Sequence, residues 1–356
     1  MPPGCNPAEL HSRPSLPALR RVLALAALLI GGPVLHHAVP LQGLGWATAQ
    51  SADIPFQIGY SASSELKAPL LVSFHATLPP GHRVEWTFGD GGAASGPQVV
   101  NTYYRAGSYT MQARLLDSGG RVISRAEAKI EVKSGGPERS ALTLLLGQGQ
   151  VRLSAVESVL YTPKTPQLLL DGREIGERPS SLSPGTHQAT ALVTLQDGRQ
   201  QERRITFTAA PFSGSVVFES EVLRLTNRAR ARGWNCATLR EGGPALPPLA
   251  QNDGLDTAAL AQSAGMALAG YFDHVSGLDG STPLRRVLAA GLRPRSVAEN
   301  IAAGQETPAE VVDGWLRSPG HCKNVMAADY TLIGLSFVNR PGTPYVRYWT
   351  QVFARL

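Results

Sequence analysis

Apolar and polar residues alternate with a period of two along residues 53–133, and residues 140–210 contain further short strand-like runs. The alternating runs of the first stretch are residues 70–74, 84–88, 108–115 and 130–132. The runs of the second stretch are residues 141–146, 151–154, 167–170, 190–195 and 204–208. Short strands separated by turns rich in Gly, Pro and Asp are typical of β-sandwiches. We therefore predict two β-sandwich domains, joined by the linker Ser134-Gly135-Gly136-Pro137.

After residue 215 the apolar period changes to 3.6, which indicates helices. Val222, Leu225 and Ala229 share a face of the first predicted helix, which Gly233 can end. The start and end signals of three further helices are Asn252 or Asp253 with Gly270, Thr282-Pro283 with Gly291, and the capping box 307–310 with Ser318-Pro319-Gly320. Residues 332–338 and 345–353 then alternate as two strands. Helices followed by antiparallel strands predict an α+β domain, an α/β/α sandwich, over residues 217–356.

Composition limits the classes of protein that fit. A chain of 356 residues suits two or three domains, and 43% apolar residues suffice for packed cores, which excludes wholesale disorder. The net charge of +6 comes from scattered basic residues, without the aromatic-interleaved basic stripe of nucleic-acid binders. We therefore expect no nucleic-acid partner.

The N-terminal residues 1–49 predict export. Arg20 and Arg21 precede the apolar run 22–30, and Ala47-Thr48-Ala49 offers a cleavage site. The run is short for a membrane span, and its distance from Ala49 is long for a signal peptide. A cleaved signal peptide and an uncleaved anchor therefore both remain open, and any membrane tether would run through this segment.

Cysteine usage fits an exported chain. Cys5 precedes the apolar run, so a mature chain keeps Cys236 and Cys322. An even pair in an exported protein suggests a disulfide, and two buried free thiols are the alternative.

Three titratable residues fall at the ends of predicted elements, where functional groups often lie. They are His274 after the second helix, Glu299 before Asn300, and His321 after the fourth helix. Their spacing matches no short metal-ligand motif. Spacing alone therefore does not bring them together.

The first β-domain carries the sequence Trp86-Thr87-Phe88-Gly89-Asp90-Gly91, followed by Tyr104 and Gly107-Ser108-Tyr109-Thr110. This pattern resembles a PKD domain, which has an Ig-like fold, and the second β-domain looks like another Ig-like module. We expect Trp86 and Phe88 to face inward. Asp90 is either a turn-forming carboxylate or a ligand or Ca²⁺ contact.

The C-terminal domain resembles a CAP domain, the SCP-like family of cysteine-rich secretory, antigen 5 and pathogenesis-related 1 proteins, in its bacterial branch. The motifs that carry the resemblance are Asn227-x-x-Arg230, Phe272-x-His274, Ala298-Glu299-Asn300-Ile301-Ala302, Trp315-Leu316-x-Ser318-Pro319-Gly320-His321-Cys322-x-Asn324, Ile333-Gly334 and Tyr348-Trp349-Thr350-Gln351-Val352-Phe353. The resemblance implies a Cys236–Cys322 pair.

The resemblance also implies a shared cleft with two histidines and two acidic residues, which holds a divalent metal in some members. His274, Glu299 and His321 match three of those positions, and the fourth is Ser318. Two imidazoles and a carboxylate suit a zinc-like ion with an open position. The same groups could act without metal, with a histidine as general base and Glu299 as its orienter. For Asn300 we expect a structural role.

Three functions are consistent with these features. The first, which we favour, is an extracellular or cell-envelope binding protein whose β-modules act as spacers and whose cleft binds a lipid, a cell-wall component or a protein. The second is a metal-assisted, peptidase-like hydrolase that uses the same cleft. The third is a purely structural adhesin.

Overall fold

The computed structural model describes the backbone of residues 44–48 and all of residues 56–356. The predicted leader, residues 1–49, lies outside the described residues apart from 44–48. Within the described part of the chain no helix is long and apolar enough to cross a bilayer.

The first β-domain is a sandwich of two four-stranded sheets with strand orders β1-β2-β3-β6 and β5-β4-β7-β8. Its strands are β1 Leu44–Thr48, β2 Gln57–Ala62, β3 Leu70–Thr77, β4 Arg83–Thr87, β5 Ala93–Ser95, β6 Gln98–Tyr103, β7 Gly107–Leu116 and β8 Val122–Val132. Strand β1 pairs with β2, so the sheet begins ahead of the predicted boundary at residue 53.

Trp86 and Phe88 are buried in the core of this sandwich, as the sequence predicts. Both rings pack on Phe74, with ring centroids 5.8 and 5.1 Å away. Asp90 accepts hydrogen bonds from the backbone N–H of Gly92 and from Asn101 Nδ2, both at 2.9 Å. These bonds favour the turn-forming interpretation of Asp90.

The second β-domain contains a three-stranded sheet, β13-β10-β9, and a four-stranded sheet, β12-β11-β14-β15. Its strands are β9 Thr143–Gly147, β10 Gln150–Ser154, β11 Gln167–Leu170, β12 Arg173–Glu174, β13 Ser180–Ser181, β14 Gly185–Thr194 and β15 Gln200–Ala209. Leu144, Val151, Ala189 and Phe207 belong to the apolar core between the sheets. Every run predicted in this domain lies at least partly on one of these strands.

The C-terminal domain is an α/β/α sandwich around the sheet β18-β20-β21-β19. Its helices are α1 Val216–Ala231, α2 Asp253–Ala269, α3 Pro283–Ala289, α4 Pro308–Arg317 and α5 Pro319–Val325. Its strands are β16 Trp234–Asn235, β17 Arg240–Glu241, β18 Ala250–Gln251, β19 Ser296–Ala303, β20 Leu332–Asn339 and β21 Arg347–Arg355. Trp315 of α4 packs with Trp349 of β21 in one cluster, and Leu255 and Val287 of α2 and α3 pack with Val352 in another. Because side chains alternate along a strand, these clusters lie on opposite faces of the sheet.

Acidic side chains of α1 and α2 accept hydrogen bonds from backbone N–H groups at the edge of β20. The backbone N–H of Leu335 donates to Asp256 Oδ1 (2.7 Å), and that of Phe337 donates to Glu219 Oε1 (3.0 Å). Gly334 lets α2 approach this strand, because a Cβ atom at that position would lie 2.1 Å from the backbone carbon of Leu255. The Ile333-Gly334 motif is therefore a packing requirement.

Asn227 and Arg230 of α1 bind backbone groups of other segments. Asn227 exchanges two hydrogen bonds with the backbone of Leu249 (3.0 and 2.8 Å). The buried guanidinium of Arg230 donates to the carbonyls of Pro247 (2.9 Å), Val325 (2.7 Å) and Ala327 (2.9 Å). The Asn227-x-x-Arg230 motif thus binds two segments, residues 247–249 and residues 325–327, to α1.

The second β-domain packs directly on the C-terminal domain. Leu145 of β9 clusters with Ala261 of α2 and Ala289 of α3. Ala264 of α2 belongs to the apolar core of the β-domain itself. The two domains therefore share buried apolar surface.

Candidate functional site

His274 lies on the loop that follows α2. The helix ends at Gly270, whose φ of 69° is the left-handed C-cap conformation that glycine favours. The loop between α2 and α3 is fastened by local bonds, including Asp273 Oδ1 accepting from the N–H of Val275 (2.8 Å). The His274 side chain is 28% exposed, so one part of the ring reaches the surface.

Glu299 lies in the middle of β19, paired with Val352 of β21. The prediction that Glu299 sits at the end of an element is therefore wrong. The strand carries buried residues on both faces, so its sequence lacks the alternation that identifies a half-exposed strand. The Glu299 side chain is only 1% exposed, and a carboxylate buried to this extent needs partners.

Those partners are His274 and Arg286. His274 Nδ1 lies 2.9 Å from Glu299 Oε1, and Arg286 Nη2 lies 2.7 Å from Glu299 Oε2. A carboxylate accepts hydrogen bonds only, so Nδ1 of His274 carries the proton and Nε2 is the remaining ring nitrogen. Glu299 therefore fixes the orientation and the tautomer of His274.

Arg286, on α3, also holds the loop that carries His274. Its Nη2 donates to the backbone carbonyl of His274 (3.0 Å) and its Nη1 to the carbonyl of Ser281 (2.7 Å). The guanidinium is 1% exposed, so its charge is matched by Glu299 within the protein interior. We name His274, Glu299 and Arg286 the His274 site.

His321 belongs to α5, inside a helix that the sequence does not predict. Burial lowers the pKa of His321, and the charge of a protonated His274 lowers it further. Both causes favour the neutral form of the His321 ring. Asn300 Nδ2 donates to the backbone carbonyl of His321 (3.2 Å).

Asn300 is fully buried and links β19 to α5 and β21. Besides His321, its Nδ2 reaches Oε1 of Gln351 (3.2 Å), and its Oδ1 accepts from Asn324 Nδ2 (2.9 Å). These contacts are the bridge expected of Asn300. Ser318 is half-buried between α4 and α5 and makes no capping bond with its side chain.

Tyr271 and Gln262 were missed from the sequence. The Tyr271 hydroxyl donates to Gln262 Oε1 (3.3 Å), and burial raises the pKa of Tyr271 to about 12, with further influences from Arg286 and Glu299. Arg286 was missed as well, because its partner Glu299 lies 13 residues away in the sequence.

Phe272 and Tyr345 form a pair of partly exposed aromatic rings. Phe272 is 37% exposed and Tyr345 is 38% exposed, and their ring centroids are 5.9 Å apart. Phe272 stands two residues before His274, on the loop that follows α2.

The arrangement does not fit the predicted three-ligand metal site. Both oxygens of Glu299 are engaged by His274 and Arg286. Across residues 56–356, no three His, Cys, Asp or Glu side chains are grouped so as to hold a metal ion. Glu299 does not suit the role of metal ligand, because its Oε2 accepts a hydrogen bond from the buried guanidinium of Arg286.

The disulfide that the sequence suggested is present next to the site. Cys236 and Cys322 are joined, with their Cα atoms 5.7 Å apart. Cys322 directly follows His321 and is fully buried. The bond therefore fastens α5, and with it His321, to the segment after α1.

A separate cavity of about 160 Å³ lies between α1 and α4. Its lining combines Leu225, Ala229 and Leu316 with Arg228 and Arg232. None of the predicted site residues lines it.

Comparisons with known proteins agree with this architecture. Residues 223–353 match the Cysteine-rich secretory protein family (CAP), and residues 56–130 match the PKD domain. The C-terminal domain is therefore a CAP domain, preceded by a PKD domain.

Individual relatives are bacterial. The chain is 36% identical to the uncharacterized protein YkwD of Bacillus subtilis (strain 168) over 152 residues, which is 43% of this chain and 52% of that protein. The chain thus spans about half the length of this curated relative.

Two solved structures are similar to larger parts of the chain. One is an extracellular protein containing a SCP domain from Bacillus anthracis str. Ames, 18% identical, covering 69% of this chain and 82% of that one with a TM-score of 0.33. The other is a cysteine-rich secretory protein from Staphylococcus aureus subsp. aureus Mu50, 11% identical, covering 87% and 85% with a TM-score of 0.28.

Proposed function

We propose that this chain is an extracytoplasmic binding protein whose CAP domain recognises a cell-envelope component at the His274 site. The state of Glu299 carries the proposal. Its oxygens are held by Arg286 and His274, so the carboxylate orients an imidazole and is not free to act on a ligand. The group offered to a ligand is the His274 ring, whose side chain is 28% exposed.

The Phe272–Tyr345 ring pair, whose Phe272 lies two residues before His274 in the sequence, supports a ligand that has both polar groups and an apolar face. Aromatic rings such as Phe272 and Tyr345, each more than a third exposed, provide apolar area that sugars and lipids can cover. A neutral imidazole donates or accepts hydrogen bonds with hydroxyl and amide groups. Cell-wall glycan with attached peptide combines these features.

Export is supported by the leader-like sequence of residues 1–49 and by the Cys236–Cys322 disulfide, since disulfides persist in oxidising compartments. An extracytoplasmic location would give the His274 site access to components of the cell envelope.

Retention of the purified chain on isolated cell-wall fragments tests the binding function. We expect His274→Ala and Phe272→Ala each to weaken retention by about tenfold, equivalent to ~1.4 kcal/mol. His82→Ala, at an exposed histidine of the PKD domain, is the matched control and should bind like the wild type. Equal retention by all four proteins would refute binding at this site.

A hydrolase is the second candidate, favoured by one observation: His274 and Glu299 form the pairing of a base with its orienting carboxylate. In that case His274 Nε2 would take the proton of an attacking water. Release of soluble products from cell-wall peptides, lost in His274→Ala, would establish turnover. Retention without release supports the binding protein.

A further inference from the structure

The carboxylate of Asp279 connects two domains. Its Oδ2 accepts from the backbone N–H of Leu144 on β9, and its Oδ1 accepts from the N–H of Ser281, both at 2.8 Å. Asp279 is only 4% exposed. Strand β9 is an edge strand of its sheet, so Asp279 supplies the partner that the outward amide of Leu144 lacks within the β-domain.

This contact continues into the His274 site through Ser281 and Arg286. The carbonyl of Ser281 accepts from Arg286 Nη1 (2.7 Å). Arg286 Nη2 in turn binds the carbonyl of His274 (3.0 Å) and Glu299 Oε2 (2.7 Å). The loop between Asp279 and Arg286 is thus held by the β-domain at one end and by the site at the other.

Helix α3 is held in the same way. Arg285, the residue before Arg286, forms a salt bridge with Glu157 of the second β-domain. Glu157 also accepts a hydrogen bond from the hydroxyl of Tyr104 in the PKD domain (3.4 Å). At the end of the helix, Arg152 of β10 donates to the carbonyl of Ala289 (2.5 Å). Consecutive residues of one helix therefore face the β-domains and the site.

We propose that the second β-domain is a positioning part of the CAP site, with Asp279 and the Glu157–Arg285 pair as the positioning residues. The β-domain fixes the loop and α3. Arg286 of α3 in turn holds Glu299 and the backbone of His274 by hydrogen bonds. The inference rests on the proposed function only in taking the His274 site as the functional one.

The test uses the full chain and no ligand, so its outcome is independent of whether cell-wall fragments bind. In Asp279→Asn one of the two oxygens becomes an NH₂ group, which faces an N–H donor and cannot accept from it. The first readout is the ¹⁵N chemical shifts of the His274 ring, recorded at about pH 9 where imidazoles are neutral. The second is the rate of hydrogen exchange at residues 276–281.

We expect Asp279→Asn to shift His274 from the Nδ1–H form to a mixture of tautomers and to speed exchange in the loop by roughly tenfold. Glu157→Gln should shift the same signals by a smaller amount. If Asp279→Asn does not fold, Glu157→Gln alone tests whether the β-domain positions the site. Asp117→Asn is the matched control, because that carboxylate also accepts two backbone N–H groups, in a turn of the PKD domain.

General destabilisation is distinguished by Phe207→Leu, which loosens the core of the second β-domain without touching Asp279 or Glu157. This variant should lower the melting temperature and leave the His274 tautomer unchanged. The proposal is overturned if Asp279→Asn and Glu157→Gln both give the wild-type tautomer, or if Phe207→Leu shifts it equally.

Discussion

His274 Nδ1 lies 2.9 Å from Glu299 Oε1, while Arg286 occupies the other oxygen of the same carboxylate. The three side chains come from a loop, a strand and a helix. The carboxylate of Glu299 is hydrogen-bonded to both of the others. Both oxygens of the acid are therefore engaged, and His274, with a side chain that is 28% exposed, is the one of the three that solvent reaches.

Replacing the acid should destabilise the domain. In Glu299→Gln the buried charge of Arg286 loses its carboxylate, which costs about 3–5 kcal/mol in the free energy of unfolding. Urea denaturation measures the loss. Glu306→Gln removes the exposed partner of Arg347 and should change stability by less than about 1 kcal/mol. Similar stabilities for these two variants would contradict the buried ion pair.

Arg230 should tolerate no shorter cation. In Arg230→Lys a single ammonium replaces the fork that reaches Pro247, Val325 and Ala327, and at least one buried carbonyl loses its donor. We expect a loss of about 2–3 kcal/mol in unfolding free energy. Arg224→Lys, at an exposed ion pair on the same helix, serves as the control and should be close to neutral. A neutral Arg230→Lys would show that the carbonyls find other donors.

The disulfide should contribute substantially to stability. Cys236 and Cys322 are 86 residues apart, and closing a loop of this size stabilises a fold by about 4–5 kcal/mol on the chain-entropy model. The double variant Cys236→Ala, Cys322→Ala should lose this amount in chemical denaturation. Mass spectrometry of the wild type should detect free thiols only after reduction. Two thiols that react before reduction would exclude the bond.

The stability of the second β-domain should depend on pH through His187. Its ring nitrogens face Asp171 Oδ2 (2.7 Å) and the carbonyl of Ser183 (2.8 Å), and the hydrogen bond to Asp171 is the main cause that raises the pKa of His187. Because the folded pKa lies above the unfolded value of about 6.5, the stabilisation is complete below about pH 6.5 and is lost as the pH rises through the folded pKa.

The melting temperature of His187→Gln, measured against the wild type, checks this dependence. The difference between the two proteins should be largest near pH 6 and shrink toward about pH 9. His82→Gln, at an exposed histidine, should give a small difference throughout. A His187→Gln effect that is constant with pH would show that the ring acts through packing alone.

Much of the CAP domain could be predicted because its signals are local. Asn252, Thr282 and Thr307 cap the helices at the positions where the sequence places them. The same local rules do not predict α5, since Ser318-Pro319-Gly320 indicates a helix stop. Ser318 does leave the helical conformation, as residues before proline do, but Pro319 then opens a new helix.

The site could be predicted only in part, because its partners are distant in sequence. The resemblance selected His274, Glu299 and His321, and the structure joins the first two directly. Nothing local indicates that Arg286 rather than a metal ion neutralises Glu299. The docking of β9 on α2 was missed for a similar reason, since an apolar strand can face its own core or another domain with the same residues.

Strand β1, Leu44–Thr48, overlaps the small-residue sequence at which a leader would be cut, and it covers the outer edge of β2. Proteolysis after Ala49 would remove the strand and leave a row of backbone donors and acceptors open. Such an edge is a template onto which another chain can add a strand. Cleavage at that point would therefore move the open edge of the sheet from β1 to β2, and β2 would become the strand onto which a second polypeptide could add.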